Sequence, residues 1–185
     1  RWDMWVFSLD QAERGVAFRN HGYIFGRGGP HTQFPTFLIN YHRVDNKQDL
    51  DAYLSRLRDI DRVIGELLHR AKITSASGVR QPSFAYEFAA TEIGRVTSGV
   101  PFNNNDTTPN SPLWADIKGK IDNLLATDLI VEEEAQSYHQ AASDILSGEV
   151  MAAYNEVLAW LEEDKQFSSS EPQGVWALPN GEDFY

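Results

Sequence analysis

The residues best suited to hold a metal or move a proton are five histidines, His21, His31, His42, His69 and His139. No two of them are four apart, the spacing that turns two imidazoles toward one ion from a single helix, and no His-Glu-x-x-His occurs. His21, His31 and His42 bracket a glycine-rich stretch and would have to converge in space to share a metal. Each is equally well accounted for as a turn or surface residue, so no metal ligands are assigned. Cysteine is absent, which removes thiolate metal sites, disulfides and cysteine nucleophiles together, and no serine sits in a Gly-x-Ser-x-Gly elbow. The run Glu132, Glu133 and Glu134 reads as a solvated first helical turn favoured by the helix dipole. Asn103, Asn104, Asn105 and Asp106 offer oxygen ligands, but without the alternating spacing, central glycine and terminal glutamate of a calcium loop.

The densest signal is Gly26, Gly28, Gly29 and Pro30. Glycines so close together permit positive φ, and Pro30 fixes its own φ and restrains Gly29, which predicts a specific loop. It is not a dinucleotide fingerprint: no strand precedes it, no helix start is evident after it, and Pro30 obstructs the pattern. Phe34, Phe37, Leu38, Ile39 and Tyr41 follow, too apolar for a solvated linker, and pin the loop to a core.

The elements that position this stretch are helical. Leu50, Tyr53, Leu54, Leu57, Ile60, Ile64, Leu67, Leu68 and Ala71 alternate at three and four, predicting one helix of about 25 residues, on the order of 40 Å long, with Asp45 and Gln48 as its capping box. Pro82 opens a further helix with Tyr86, Ala89, Ala90, Ile93 and Val96 buried, closed by Gly99 and Pro101. Ser111 caps another with Pro112 at its first position and a stripe through Leu113, Trp114, Ile117, Ile121, Leu124 and Leu125, ending near Thr127. Helical spacing continues from Ile130 to about Gln166, with Gly148 marking either a kink or a break. At the start, Trp2, Trp5, Val6 and Leu9 share a helical face, and core packing is favoured for them over the lining of a sugar or peptide cleft. Near the end, Val175, Trp176 and Leu178 predict a brief strand and Pro179-Asn180-Gly181 a turn, with Glu182 and Asp183 opening another helix. The fold class expected is all-α, with long antiparallel helices and at most a short strand pair near the carboxyl end.

Composition sets the partners. The net charge of −11 over 185 residues argues against nucleic acid, which needs a basic face to release counterions. No run approaches the roughly 18 apolar residues of a membrane span.

The segments GGPHTQFPTFLINYHRVDNKQDLDAYLSRL, SPLWADIKGKID and GVWALPNGEDFY, within a likeness running from about Phe18 to Tyr185, resemble the bacterial "domain of unknown function 885" family. That resemblance implies a helical, zinc-peptidase-like protein, often a lipoprotein of the cell envelope, periplasmic or lipid-anchored. The family's metal motif, His-Glu followed by Gly-His-His, is nowhere in these residues and would be expected beyond Tyr185. Residues 1–185 are therefore expected to form a single helical region, the amino-terminal portion of a larger domain, lacking catalytic and cofactor-binding residues of its own. Its partners would be the carboxyl-terminal portion of the same protein and a peptide substrate, with zinc held by the larger protein. In that setting His31, Tyr41 and His42 are the candidates for substrate contact, because loops held by a rigid core commonly carry recognition. The alternative is a noncatalytic helical scaffold or protein-interaction module.

Hydrolysis by a zinc route needs two or three protein ligands and a carboxylate base beside the metal-bound water. The isolated 185-residue chain is accordingly expected neither to bind zinc tightly nor to cleave peptides. Stoichiometric zinc in the purified chain by elemental analysis, lost on His31→Ala or His42→Ala, would contradict this.

Overall fold

The computed structural model describes residues 1–103, 109–171 and 173–183. Its framework is the helix α3, Lys47–Ala76, 30 residues long and hence about 45 Å. Leu50, Tyr53, Leu57, Ile60, Ile64, Leu68 and Ala71 are buried along one face, as their spacing requires, and Leu67 is half-buried. Its start lies one residue later than the predicted box. Asn46, in extended conformation, accepts from the Asp49 N–H at 3.0 Å, and the Asp49 carboxylate accepts from the Asp45 N–H at 3.1 Å. The cap is therefore Asn46, with Asp49 reaching back to the Asp45 amide, rather than a box of Asp45 with Gln48.

Around α3 pack α2 (Pro30–Tyr41), α5 (Pro112–Ala126), α6 (Glu132–Ile145) and α7 (Met151–Lys165), while α4 (Ser83–Val96) lies against α2 and α7. Ser111 caps α5 and Pro112 is its first residue, as predicted, and Leu113, Ile117, Ile121 and Leu124 are fully buried. Pro82 proves to be the cap of α4 rather than its first residue. Asp164 ties α4 to α7 from a buried position, accepting from Tyr86 Oη at 2.6 Å and Arg80 Nε at 3.0 Å. A buried carboxylate needs such partners, since desolvation of an unpaired charge costs more than burial returns.

The interruption predicted at Gly148 is present, as a π-turn between two α-helices. This turn, Leu146–Val150, joins α6 to α7, with Leu146 and Val150 buried and Gly148 exposed. No strand occurs among the described residues; one bridge pairs Val100 with Asn110. Val175–Ala177 is a single 3₁₀ turn instead of the predicted strand, because its amides close locally: Ala177 donates to Gly174 O and Leu178 to Val175 O. The Pro179–Gly181 turn is present, with Asn180 at φ +55°, and Asp183 donates to Asn180 O in a further turn. Asn104, Asn105 and Asp106 of the candidate calcium loop lie outside the described residues.

The first helix, α1 (Trp2–Gly15), forms as predicted but contributes nothing to the core. None of its residues is buried, and Trp2 and Trp5 are 78% and 66% exposed. Helical spacing put the two indoles on one face correctly; among the described residues no element packs across that face to bury it.

A Cβ added at Gly148 meets nothing within 4 Å. Gly148→Ala is expected to raise stability by up to about 1 kcal/mol, the helix-propensity difference, read as a higher urea midpoint with unchanged slope.

Candidate functional site

The glycine-rich loop is followed at once by α2, a helix where the sequence pattern suggests only an aromatic segment. Gly28 takes φ +65° and Gly29 caps the helix in extended conformation, with Pro30 at the first position. A Cβ on Gly29 would stand 2.7 Å from Ile24 O and 3.0 Å from Gly26 O, so the tight approach admits only glycine. The absence of an evident helix start after the glycines was thus a misreading. Pro35 lies inside α2 and has no N–H to give the carbonyl four residues back, which belongs to His31. Tyr154 of α7 supplies the missing donor: its Oη donates to His31 O at 2.7 Å, in a buried position.

The His31 side chain is fully buried, and its Nε2 lies 3.0 Å from Glu92 Oε2 on α4. The same carboxylate oxygen accepts from the Gly28 N–H at 3.0 Å. One carboxylate thus fixes the loop and the first turn of α2. Burial pushes His31 below the ordinary histidine range, against the opposing pull of Glu92. The neutral imidazole therefore donates from Nε2, and Nδ1 has no hydrogen-bond partner.

His42, at the other end of α2, is also nearly buried. Its Nε2 donates to Asp49 O at 3.1 Å, and Nδ1 accepts from Arg56 Nη1 at 2.8 Å. Burial first, then the Arg56 and Lys120 cations, hold it below its ordinary value. Lys120 of α5 also donates to Leu38 O at 3.1 Å, lies 4.8 Å over the Tyr53 ring, and shares Asp116 with the Tyr53 hydroxyl. Burial, then the Asp116 carboxylate, drives the Tyr53 hydroxyl well above the phenol range, so it stays a neutral donor.

Of the three residues singled out in the sequence, only Tyr41 is exposed, at 73%. Its ring stacks on Phe37, with centroids 6.1 Å apart. Phe34 and Phe37 of α2 face Arg56, Ile60 and Val63 of α3 across an apolar groove of about 170 Å³. A second concavity, about 400 Å³, reaches from Gln33 and Leu67 to the glycine loop. The α3 residues along these two hollows run from Arg56 to Leu67, about 17 Å of helix at the usual rise. His31 and His42 lie beneath the two ends of α2 and are not brought together with each other in one ligand set. Sequence reasoning missed Glu92, Arg56 and Tyr154. The one available cue was Pro35 within an otherwise helical pattern, which demands an outside donor.

A zinc ion does not fit these residues. His31 spends Nε2 on Glu92, His42 spends both nitrogens on Asp49 and Arg56, and the Arg56 guanidinium stands where a cation would approach. Among the described residues no group of three or more histidine, aspartate or glutamate side chains is placed to hold a metal.

Two outcomes follow from this geometry. Tyr154→Phe should cost about 1–3 kcal/mol by leaving a buried carbonyl unpaired, and Pro35→Ala should shrink that cost by restoring the helical donor; denaturation of the double-mutant cycle measures both. Both histidines titrate lower when folded, so protons bind the unfolded chain first. Their stabilisation is complete above the unfolded value and is lost as pH falls through the folded one. The urea midpoint should therefore decline as pH falls below about 7, and less steeply in His42→Gln.

The chain is similar in structure to the "putative lipoprotein from Colwellia psychrerythraea", with a TM-score of 0.76 and 21% identity over 88% of this chain and 26% of that one. It thus spans about a quarter of that protein's length, and the likeness shows the helical fold. No curated protein matches the sequence. A family model does match, over residues 1–185, and on that extent the chain belongs to the family of bacterial proteins of unknown function DUF885.

Proposed function

We propose that residues 1–185 form a helical wall beside the substrate cleft of a larger, peptidase-like protein, and that polypeptide outside these residues carries the catalytic groups. The observation that supports this most is the hollowed face between α2 and α3, apolar along Phe34, Phe37, Ile60 and Val63 and closed at one end by the clamped glycine loop. An apolar trough with backbone groups at its end suits an extended peptide presenting apolar side chains, since side chains supply contact area and the loop supplies direction.

Within this reading, Tyr41 and Phe37 touch the peptide, and His31 and His42 act from beneath by holding the two ends of α2. The chain contributes no metal ligand, and zinc belongs to the larger protein's other residues. An envelope location, lipid-anchored or periplasmic, accords with the lipoprotein of similar fold; no helix among the described residues is long and apolar enough to cross a membrane.

The noncatalytic scaffold is the second reading, favoured by the exposed aromatic rings of α1 and α4, Trp2, Trp5, Phe84 and Phe88. Peptide binding separates the two. In the longest soluble form of the protein, Phe37→Ala and Tyr41→Ala should weaken an apolar peptide about tenfold or more, equivalent to about 1.4 kcal/mol, while stability stays within about 0.5 kcal/mol. Fluorescence titration with the same peptide checks the first and denaturation the second. Unchanged affinity in both variants would favour the scaffold.

A further inference from the structure

The apolar side of α1 has no role in the fold described. On a helical wheel Trp2, Trp5, Val6, Leu9, Ala12 and Val16 gather on one side, and Trp2, Trp5, Val6, Leu9 and Val16 are each at least 47% exposed. A helix of 14 residues without packing is marginal in water, where nucleation is unfavourable and stability comes mainly from burying a face. Aromatic rings on this scale are the kind of surface that marks a contact site.

The far end of the described chain comes close to the root of this helix. His21 Nε2 is 3.0 Å from Pro179 O, and the His21 ring meets the Phe18 ring of the Val16–Phe18 turn edge-on at 5.1 Å. Asp183 closes a turn onto Asn180 O, so the last described residues stay near this contact. The lipoprotein of similar fold has about three quarters of its length outside the matched part, ample chain to cover such a face.

We infer that the Trp2–Trp5–Leu9 face of α1 is the seat for polypeptide that continues beyond Tyr185, which lays an apolar helix or loop across it. This rests on the reading of the chain as part of a larger protein, but not on any peptidase activity. A membrane surface fits less well, because α1 carries Asp3, Asp10 and Glu13 against Arg14 and the chain is at net charge −11, which anionic headgroups would repel.

The experiment compares hydrogen exchange of the α1 amides in the 185-residue chain and in the full product of its reading frame. Exchange should be near the unprotected rate in the former and slowed at least about 100-fold in the latter. Trp5→Glu should abolish that protection, whereas Gln11→Ala on the opposite side should leave it. If Trp5→Glu fails to fold in the full product, the wild-type comparison still decides. Equal exchange in the two forms would overturn the inference, as would a reading frame that stops at Tyr185. Protection of α1 in the 185-residue chain by self-association in sedimentation, or by phosphatidylglycerol vesicles, would also overturn it. Absence of peptide binding with α1 protected in the full product would defeat the cleft reading and leave this one standing.

Discussion

Pro35 leaves the His31 carbonyl without its helical donor, and the way that gap is filled governs the arrangement around α2. A buried carbonyl must find a partner, and the hydroxyl of Tyr154 provides it from α7. The bond fixes the start of α2 against α7 at the same point where Glu92 holds the His31 ring and the Gly28 amide from α4. Two helices, α4 and α7, are thereby registered against the first turn of α2. On the opposite side α2 keeps Phe37 and Tyr41 in solvent beside the groove it shares with α3.

The two ends of α2 use histidine for the same physical purpose. Each imidazole is buried, neutral and oriented by fixed partners, Glu92 for His31 and Asp49 with Arg56 for His42. A charged ring in either place would have to lose an interaction: a buried Nδ1–H of His31 would lack an acceptor, and His42 would meet the Arg56 cation. These histidines hold structure by being unprotonated, which is the opposite requirement from a general acid. What this face presents to solvent is shape and apolar area.

Much of the helical framework was readable because local and tertiary demands coincide. The three-and-four spacing through α3 survives as a buried stripe, and Ser111-Pro112 starts α5 where capping chemistry says it should. Where demands conflict, the reading slipped. Pro35 and the preceding glycines concealed α2, since the bond that permits a proline there comes from a residue 119 positions later, an arrangement no local pattern contains. Asn46 displaced Asp45 as the cap because either side chain can serve, and only the extended backbone at Asn46 selects between them. Val175 and Trp176 have strand-forming side chains, but a strand needs a neighbour to accept its hydrogen bonds, and they close a 3₁₀ turn instead.

By itself the sequence determined the helical class, the Ser111-Pro112 start of α5 and the core stripes, because hydrophobic period and turn chemistry act over a few residues. Tertiary structure decided which histidines are buried, that Glu92 and Tyr154 hold the glycine loop and α2, and that the tryptophans of α1 face solvent rather than a core. Periodicity states which side of a helix is apolar. What lies against that side depends on contacts between residues distant in the chain, and those are set only when the helices pack.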